Sequence, residues 1–298
     1  MDESEYKLTL FDRLAIIKDT IGKFGEENFY ISFSGGKDST IIHHLVDMAI
    51  PGNKIPRVFF NTGIEYCDIV NFVRGLASSD SRFVIINPTK PISQVLEKYG
   101  YPFKSKEHSL KIGQWQKGLQ SPNIVKYVKG NSSFSCPQCL RFQAEKDYPI
   151  RLSNKCCYKL KKEPAHAYER KSGRSIAILG LRMDEGGQRA NHKGCAIFDS
   201  NGKLLKFKPL NPVTAEWESE FLERERVLLC KLYYPPFNFK RTGCKGCPYA
   251  LDLQEQLTTM ALYLPNERKQ CEIIWKKVYD EYRRIGYRLV IDEQLKLF

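Results

Sequence analysis

Ser34-Gly35-Gly36-Lys37-Asp38-Ser39-Thr40 sets two glycines, a lysine and three hydroxyls within seven residues. Glycine permits a tight turn and lets backbone N–H groups approach a ligand closely. A helix opening near Lys37 or Asp38 would add unpaired N–H donors and the positive end of its dipole, a site for phosphate or pyrophosphate. Lys37 brings a full charge, Ser34, Ser39 and Thr40 bring hydroxyls, and Ser32 joins the same candidate set. The spacing is too short for a GxxxxGK[ST] loop. A second chemistry lies in the ten cysteines, with clusters at Cys136-Pro137-Gln138-Cys139, Cys156-Cys157 and Cys244-Lys245-Gly246-Cys247. Two CxxC pairs make one four-thiolate zinc set, although 104 residues separate Cys139 from Cys244. Cys156, Cys157, Cys244 and Cys247 make a competing set, since adjacent cysteines occur as ligands of [4Fe–4S] clusters. Cys67 and Cys230 sit in apolar settings and read as core residues.

The elements that must position these groups follow from hydrophobic spacing. Phe29-Tyr30-Ile31-Ser32-Phe33 reads as a buried strand, and Ile41, Ile42, Leu45, Val46 and Ala49 recur at helical spacing after the loop. Further strands are expected over residues 57–61, 82–87 and 176–180, with helices over 8–24, after Thr62-Gly63-Ile64-Glu65 through about Leu76, and over 92–99. A hairpin is expected between Ala196 and Phe207, and helices over 214–229 and 267–284. Residues 101–150 read as helical or loop cover. Alternating strands and helices imply a parallel sheet with helices on both faces. Ligands of such sheets lie outside the carboxyl ends of the strands, where the Ser-Gly-Gly loop, Thr62-Gly63 and Asn87-Pro88 all fall. Thr62 and Gly63 therefore join the candidate nucleotide contacts, with Glu65 facing ribose or adenine. The expected organisation is an N-terminal helix (1–25), a nucleotide-binding domain (26–213) and a helical, CxxC-bearing region (214–298).

The chain has 298 residues, 42% of them hydrophobic and 27% charged, an ordinary globular composition. No apolar run approaches the roughly 20 residues that span a membrane. The acidic N-terminus lacks a signal-peptide pattern, so a cytoplasmic location is expected. Ten cysteines there imply metal or redox chemistry rather than a disulfide framework. A net charge of +13 suits anionic partners: nucleotides, sulfated compounds or nucleic acid. Seven Lys/Arg lie between Lys155 and Arg174, around the Cys-Cys pair.

Strand, Ser-Gly-Gly-Lys-Asp-Ser and helix together resemble the PP-loop of ATP pyrophosphatases and of the phosphoadenosine phosphosulfate (PAPS) reductase family. The resemblance implies a Rossmann-like adenine-nucleotide α-hydrolase fold with a Cys-rich, helical C-terminal extension. Cys156-Cys157 with Lys161 is similar to the Cys-Cys motif of adenylyl-sulfate (APS) reductases, and Cys244 follows Cys157 by 87 residues, close to the family's interval. This implies a [4Fe–4S] cluster on Cys156, Cys157, Cys244 and Cys247, zinc being the alternative, with Lys161 offsetting cluster charge. Gly180-Leu181-Arg182 through Arg189 resembles the family's Gly-Leu-Arg motif, which implies that Arg182 and Arg189 bind the nucleotide's anionic group. Lys208-Pro209-Leu210 and Trp217 resemble its basic-Pro-Leu and Trp elements.

The chain departs from sulfonucleotide reductases in ending Asp292-Glu293-Gln294-Leu295-Lys296-Leu297-Phe298, without their C-terminal Glu-Cys-Gly motif. Its intact Ser-Gly-Gly-Lys-Asp-Ser is closer to members that cleave ATP. The leading expectation is therefore ATP with Mg²⁺ as substrate, AMP and pyrophosphate as products, and Lys37, Asp38, Arg182 and Arg189 as catalytic residues. The alternatives are thiol-dependent reduction of APS or PAPS through Cys271, Cys136 or Cys139, and a nucleotide- and cluster-bearing subunit of a nucleic-acid-modifying system. A sulfur donor or thiol-redox protein is the expected protein partner, with no membrane association.

Overall fold

The computed structural model describes residues 1–185 and 194–290. It divides into two compact units that interleave along the chain: residues 1–61, 67–87 and 164–242 form the first, and 62–66, 88–163 and 243 onward form the second.

The first unit holds a six-stranded sheet of β1 (Phe29–Phe33), β2 (Arg57–Phe60), β3 (Phe83–Ile86), β4 (Ile176–Ile178), β5 (Ala196–Phe198) and β6 (Leu204–Phe207). Their order is β3-β2-β1-β4-β6-β5, parallel throughout except for the β5–β6 hairpin. The mostly parallel α/β sheet is thus as expected. Along β1 successive side chains alternate faces. Tyr30 packs with Val58, Phe60 and Ala177 against Ala165 and Tyr168 of the helix Glu163–Ser172. On the opposite face Phe33 meets Phe83 and His43 of the helix Lys37–Ala49. Burial on both faces explains why these strands are continuously apolar.

Element ends differ from expectation for local reasons. The first helix spans Glu3–Phe24 because Asp2 caps it, its side chain accepting the Glu5 N–H at 2.7 Å. The helix Ala215–Arg224 stops short of residue 229, where Arg226 adopts φ +50°.

The second unit is helical: Ile92–Tyr99, Lys106–Trp115, Pro122–Lys129, Leu253–Tyr263, Pro265–Ile274 and Lys276–Arg284. The segment expected as one helix over 267–284 breaks at Trp275, whose buried indole N–H donates to the Lys245 carbonyl at 3.1 Å. No helix among the described residues is long and apolar enough to cross a membrane.

Candidate functional site

In the first unit the Ser-Gly-Gly loop leaves the carboxyl end of β1 and opens the helix at Lys37, as the spacing predicts. Gly35 has φ +72°, and an added Cβ would meet Ile69 and Val73 at 3.0 and 3.2 Å, so the turn needs glycine twice over. Gly36 is the N-cap and has no side chain to cap with; Ser39 and Thr40 instead donate their hydroxyls back to its carbonyl at 2.9 and 3.0 Å. The Ser34 N–H donates to Ser39 Oγ at 3.1 Å, and the Gly36 N–H to Ser34 Oγ at 3.3 Å. Ser32 lies within β1 opposite Val58. The loop's hydroxyls thus shape its backbone first.

Lys37 and Asp38 project from the helix start. The Lys37 ammonium lies 5.3 Å from the centre of the Tyr233 ring, and the Tyr233 hydroxyl bonds Thr242 Oγ1 at 2.5 Å. Burial pushes the Tyr233 phenol up to about 12. Arg182 reaches the same helix start from the end of β4: Nε donates to Asp38 at 2.9 Å, Nη1 to Asp184 at 2.9 Å, and Nη2 pairs with Glu218 at 2.7 Å. Burial raises the Glu218 carboxyl above its ordinary range. Gly180 allows this approach, because a Cβ there would sit 2.8 Å from Asp38. Arg189 lies outside the described residues. Neither Tyr233 nor Glu218 carries a sequence signal; both are brought in by the fold.

Thr62, Gly63 and Glu65 belong to the second unit with the cysteines. Glu65 Oε2 accepts from the Thr62 N–H and hydroxyl at 2.8 and 2.6 Å, while Oε1 lies 3.7 Å from Lys161 Nζ. Thr62 Oγ1 lies 3.9 Å from Cys244 Sγ. Cys156 and Cys157 begin a helical segment that widens into a π-helical turn, Tyr158–Lys162. Cys156 donates to Cys157, which raises the first thiol and lowers the second, and Lys106, Lys161 and Lys162 draw Cys157 further toward thiolate. Burial raises Cys244 and pushes Cys247 up to about 12. The Lys161 ammonium is held well above its usual range, first by Cys244, with Glu65, Cys157 and Cys247 adding to it. The structure therefore brings Cys156, Cys157, Cys244, Cys247 and Lys161 within reach of one another's charge. Among the described residues no group of three or more His, Cys, Asp or Glu is set to hold a single metal ion.

The CxxC turn is braced by the C-terminal helices. Gly246 has φ +57°, and a Cβ there would strike Tyr279 and Cys271. Tyr279 donates to the Gly246 carbonyl and Tyr282 to that of Pro248, the latter at 2.9 Å. Lys245, buried, pairs with Glu267 and donates to Gln270 at 2.5 Å. Cys271 is fully buried, and burial pushes its thiol up to about 12. Cys136 is buried and Cys139 exposed.

Residues 138–250 match the phosphoadenosine phosphosulfate reductase domain family. An uncharacterized protein of Methanocaldococcus jannaschii is 33% identical over 275 residues, 90% of this chain and 53% of its own length. The chain thus spans about half the length of that curated relative. Among solved structures, phosphoadenylyl-sulfate reductase from Candida auris in a phosphate complex is similar at 14% identity and a TM-score of 0.47, covering 82% of this chain and 96% of that one. NH3-dependent NAD synthetase from Campylobacter jejuni is similar at 13% identity and a TM-score of 0.42, covering 98% and 100%. The U34-tRNA thiolase NcsA from Methanococcus maripaludis, with its [4Fe–4S] cluster, is similar at 13% identity and a TM-score of 0.40, covering 95% and 82%. The likeness to the phosphoadenosine phosphosulfate reductase domain family is thus carried by residues 138–250.

Proposed function

We propose that the chain binds an adenine nucleotide on the Ser34–Thr40 loop and cleaves ATP to AMP and pyrophosphate, adenylating an acceptor. The observation that carries this reading is the loop itself: a left-handed Gly35 opening a helix N-terminus at the carboxyl end of β1, with Arg182 anchored to Asp38 of the same turn. An acceptor oxygen attacks the α-phosphate, the bond to the bridging oxygen breaks, and pyrophosphate leaves. Lys37 and the helix N-terminus hold the β- and γ-phosphates, which arrive with Mg²⁺ as part of the substrate. Arg182, with Arg189, offsets charge developing on the α-phosphate. Preorganised cations act strongly there because they need no rearrangement during the step.

Cys156, Cys157, Cys244 and Cys247 would hold a [4Fe–4S] cluster, and their enclosure beside Lys161 fits such an anionic group. A bound cluster would supply electron transfer or sulfur handling. Zinc on the same thiolates is the alternative. Reduction of APS or PAPS is the second reading; the exposed Cys139 leaves it a nucleophile, whereas the enclosed Cys271 does not suit that role.

The test is to offer anaerobically purified protein ATP with Mg²⁺, APS and PAPS separately and to analyse products. AMP and pyrophosphate from ATP are expected. Sulfite from APS or PAPS with a thiol donor would overturn the reading in favour of reduction. Binding without turnover would favour the nucleic-acid-modifying subunit.

A further inference from the structure

Cys195 stands immediately before β5, and its carbonyl accepts the N–H of Lys208, the residue after β6, at 2.6 Å. Since β6 is parallel to β4 and β4 to β1, Lys208 lies on the sheet edge that carries Gly180 and the Ser-Gly-Gly loop. Met183 donates to the Asn211 carbonyl at 2.9 Å and Asn211 to that of Lys208 at 3.0 Å, which joins this corner to the Arg182 turn. From the helix Glu3–Phe24, Arg13 Nη1 donates to Cys195 Sγ at 3.3 Å and to the Pro209 carbonyl at 2.6 Å. Lys208 is 1% exposed, and its Nζ has no hydrogen-bond partner among the described residues. Burial weakens its charged form and Cys195 supports it. A buried ammonium without an acceptor is costly and calls for an anion. The half-buried sulfur of Cys195, which Arg13 also contacts, lies in this corner. Positions next to Lys and Arg are where cysteines act as nucleophiles.

We propose that Cys195 is a nucleophilic thiol that accepts sulfur from a low-molecular-weight persulfide. Its use on an adenylated acceptor rests on the ATP-cleaving reading above. The Cys195 thiolate attacks the outer sulfur of R–S–SH; the donor's S–S bond breaks, its electron pair leaves on R–S⁻, and Cys195 becomes Cys–S–SH. Arg13 and Lys208 accompany the negative charge, and no outside oxidant or reductant is consumed.

The experiment treats the full-length protein, without nucleotide, with glutathione persulfide and follows each cysteine peptide by mass spectrometry. Cys195 is expected to gain one sulfur about tenfold faster than the exposed Cys67, as expected of a thiol beside two cations. Lys208→Met should slow this about tenfold and Lys208→Arg should restore most of it. Labelling of Cys195 no faster than Cys67 overturns the proposal without any variant. So does an undiminished rate in a folded Lys208→Met protein. Because ATP is absent, the two readings fail separately. Persulfidation without ATP cleavage leaves Cys195 standing and removes the adenylation step, and cleavage without persulfidation does the reverse.

Discussion

In the first unit Arg182 is ringed by Asp38, Asp184 and Glu218, and Lys37 rests over the Tyr233 ring. In the second unit Lys161 feels three thiols, Cys244, Cys157 and Cys247, together with Glu65, and the thiols of Cys244 and Cys247 are raised by burial. The Ser34–Thr40 loop therefore starts with its neighbouring cations engaged by protein groups, which the proposed anionic ligand would exchange for its own oxygens. The thiol centre is poised the other way. Its cation is in place and Cys157 is already drawn toward thiolate, while burial holds the Cys244 and Cys247 protons on sulfur until something displaces them. Under the proposed reading, one site would suit a ligand that comes and goes, the other a group that stays.

The largest expected effects separate the two. Lys37→Ala should lower nucleotide turnover by about 10²-fold or more while leaving iron and acid-labile sulfide unchanged. Cys244→Ser should remove iron and sulfide while leaving ATP affinity, measured by calorimetry, within about twofold. Loss of iron in the first variant, or of ATP binding in the second, would break the comparison.

Next come the glycines that let each site close. Gly246→Ala forces a side chain onto Tyr279 and Cys271 at positive φ and should cost about 3 kcal/mol by denaturant melts. Gly180→Ala brings a Cβ to 2.8 Å from Asp38 and 3.0 Å from the Ser39 nitrogen, and should cost about 2 kcal/mol while weakening ATP binding. Equal costs with no change in ATP affinity would show that Gly180 serves packing alone.

The pH dependence sharpens the comparison by testing each unit's core. His43 and His108 are both held down to about 4, chiefly by burial, so each stays neutral when folded. Arg57 donates to His43 Nδ1 at 3.0 Å, and His108 bonds Tyr127 and Gln143 at 3.0 and 2.8 Å. Between about 4 and the ordinary 6.5 the unfolded chain binds more protons, so stability falls as pH falls through that window. Each histidine should contribute up to about 3 kcal/mol of that loss, and His108→Gln should flatten the acid limb of a stability–pH curve. The smallest effect is Ser39→Ala, which removes the bond to the Gly36 carbonyl and should cost about 1 kcal/mol.

What was legible in the sequence was local. The Ser-Gly-Gly turn, its flanking strand and helix, and the β5–β6 hairpin lie within short windows, where periodicity and glycine chemistry act directly. The nearness of Cys156 and Cys157 to Cys244 and Cys247 was legible only through motif spacing and family resemblance. The supports of these cysteines were not: Lys245 with Glu267, Tyr279 with Gly246, and Thr62 with Cys244 join residues far apart in the chain. Periodicity carries no signal for such pairs. The break at Trp275 was missed for the same reason, since a distant carbonyl claims the indole. Arg182 was placed by its motif, but Glu218, which completes its ring, sits on a helix face with nothing to mark it.

The interleaving of the two units has a consequence for biosynthesis. Every residue of the first unit has been synthesised once residue 242 is made, whereas Cys156 and Cys157 must wait for Cys244 and Cys247. Domains fold as their chain becomes available on the ribosome. The Ser34–Thr40 turn can therefore mature before Cys244 and Cys247 exist, and under the proposed reading any loading of the four thiols would be a late, separate step.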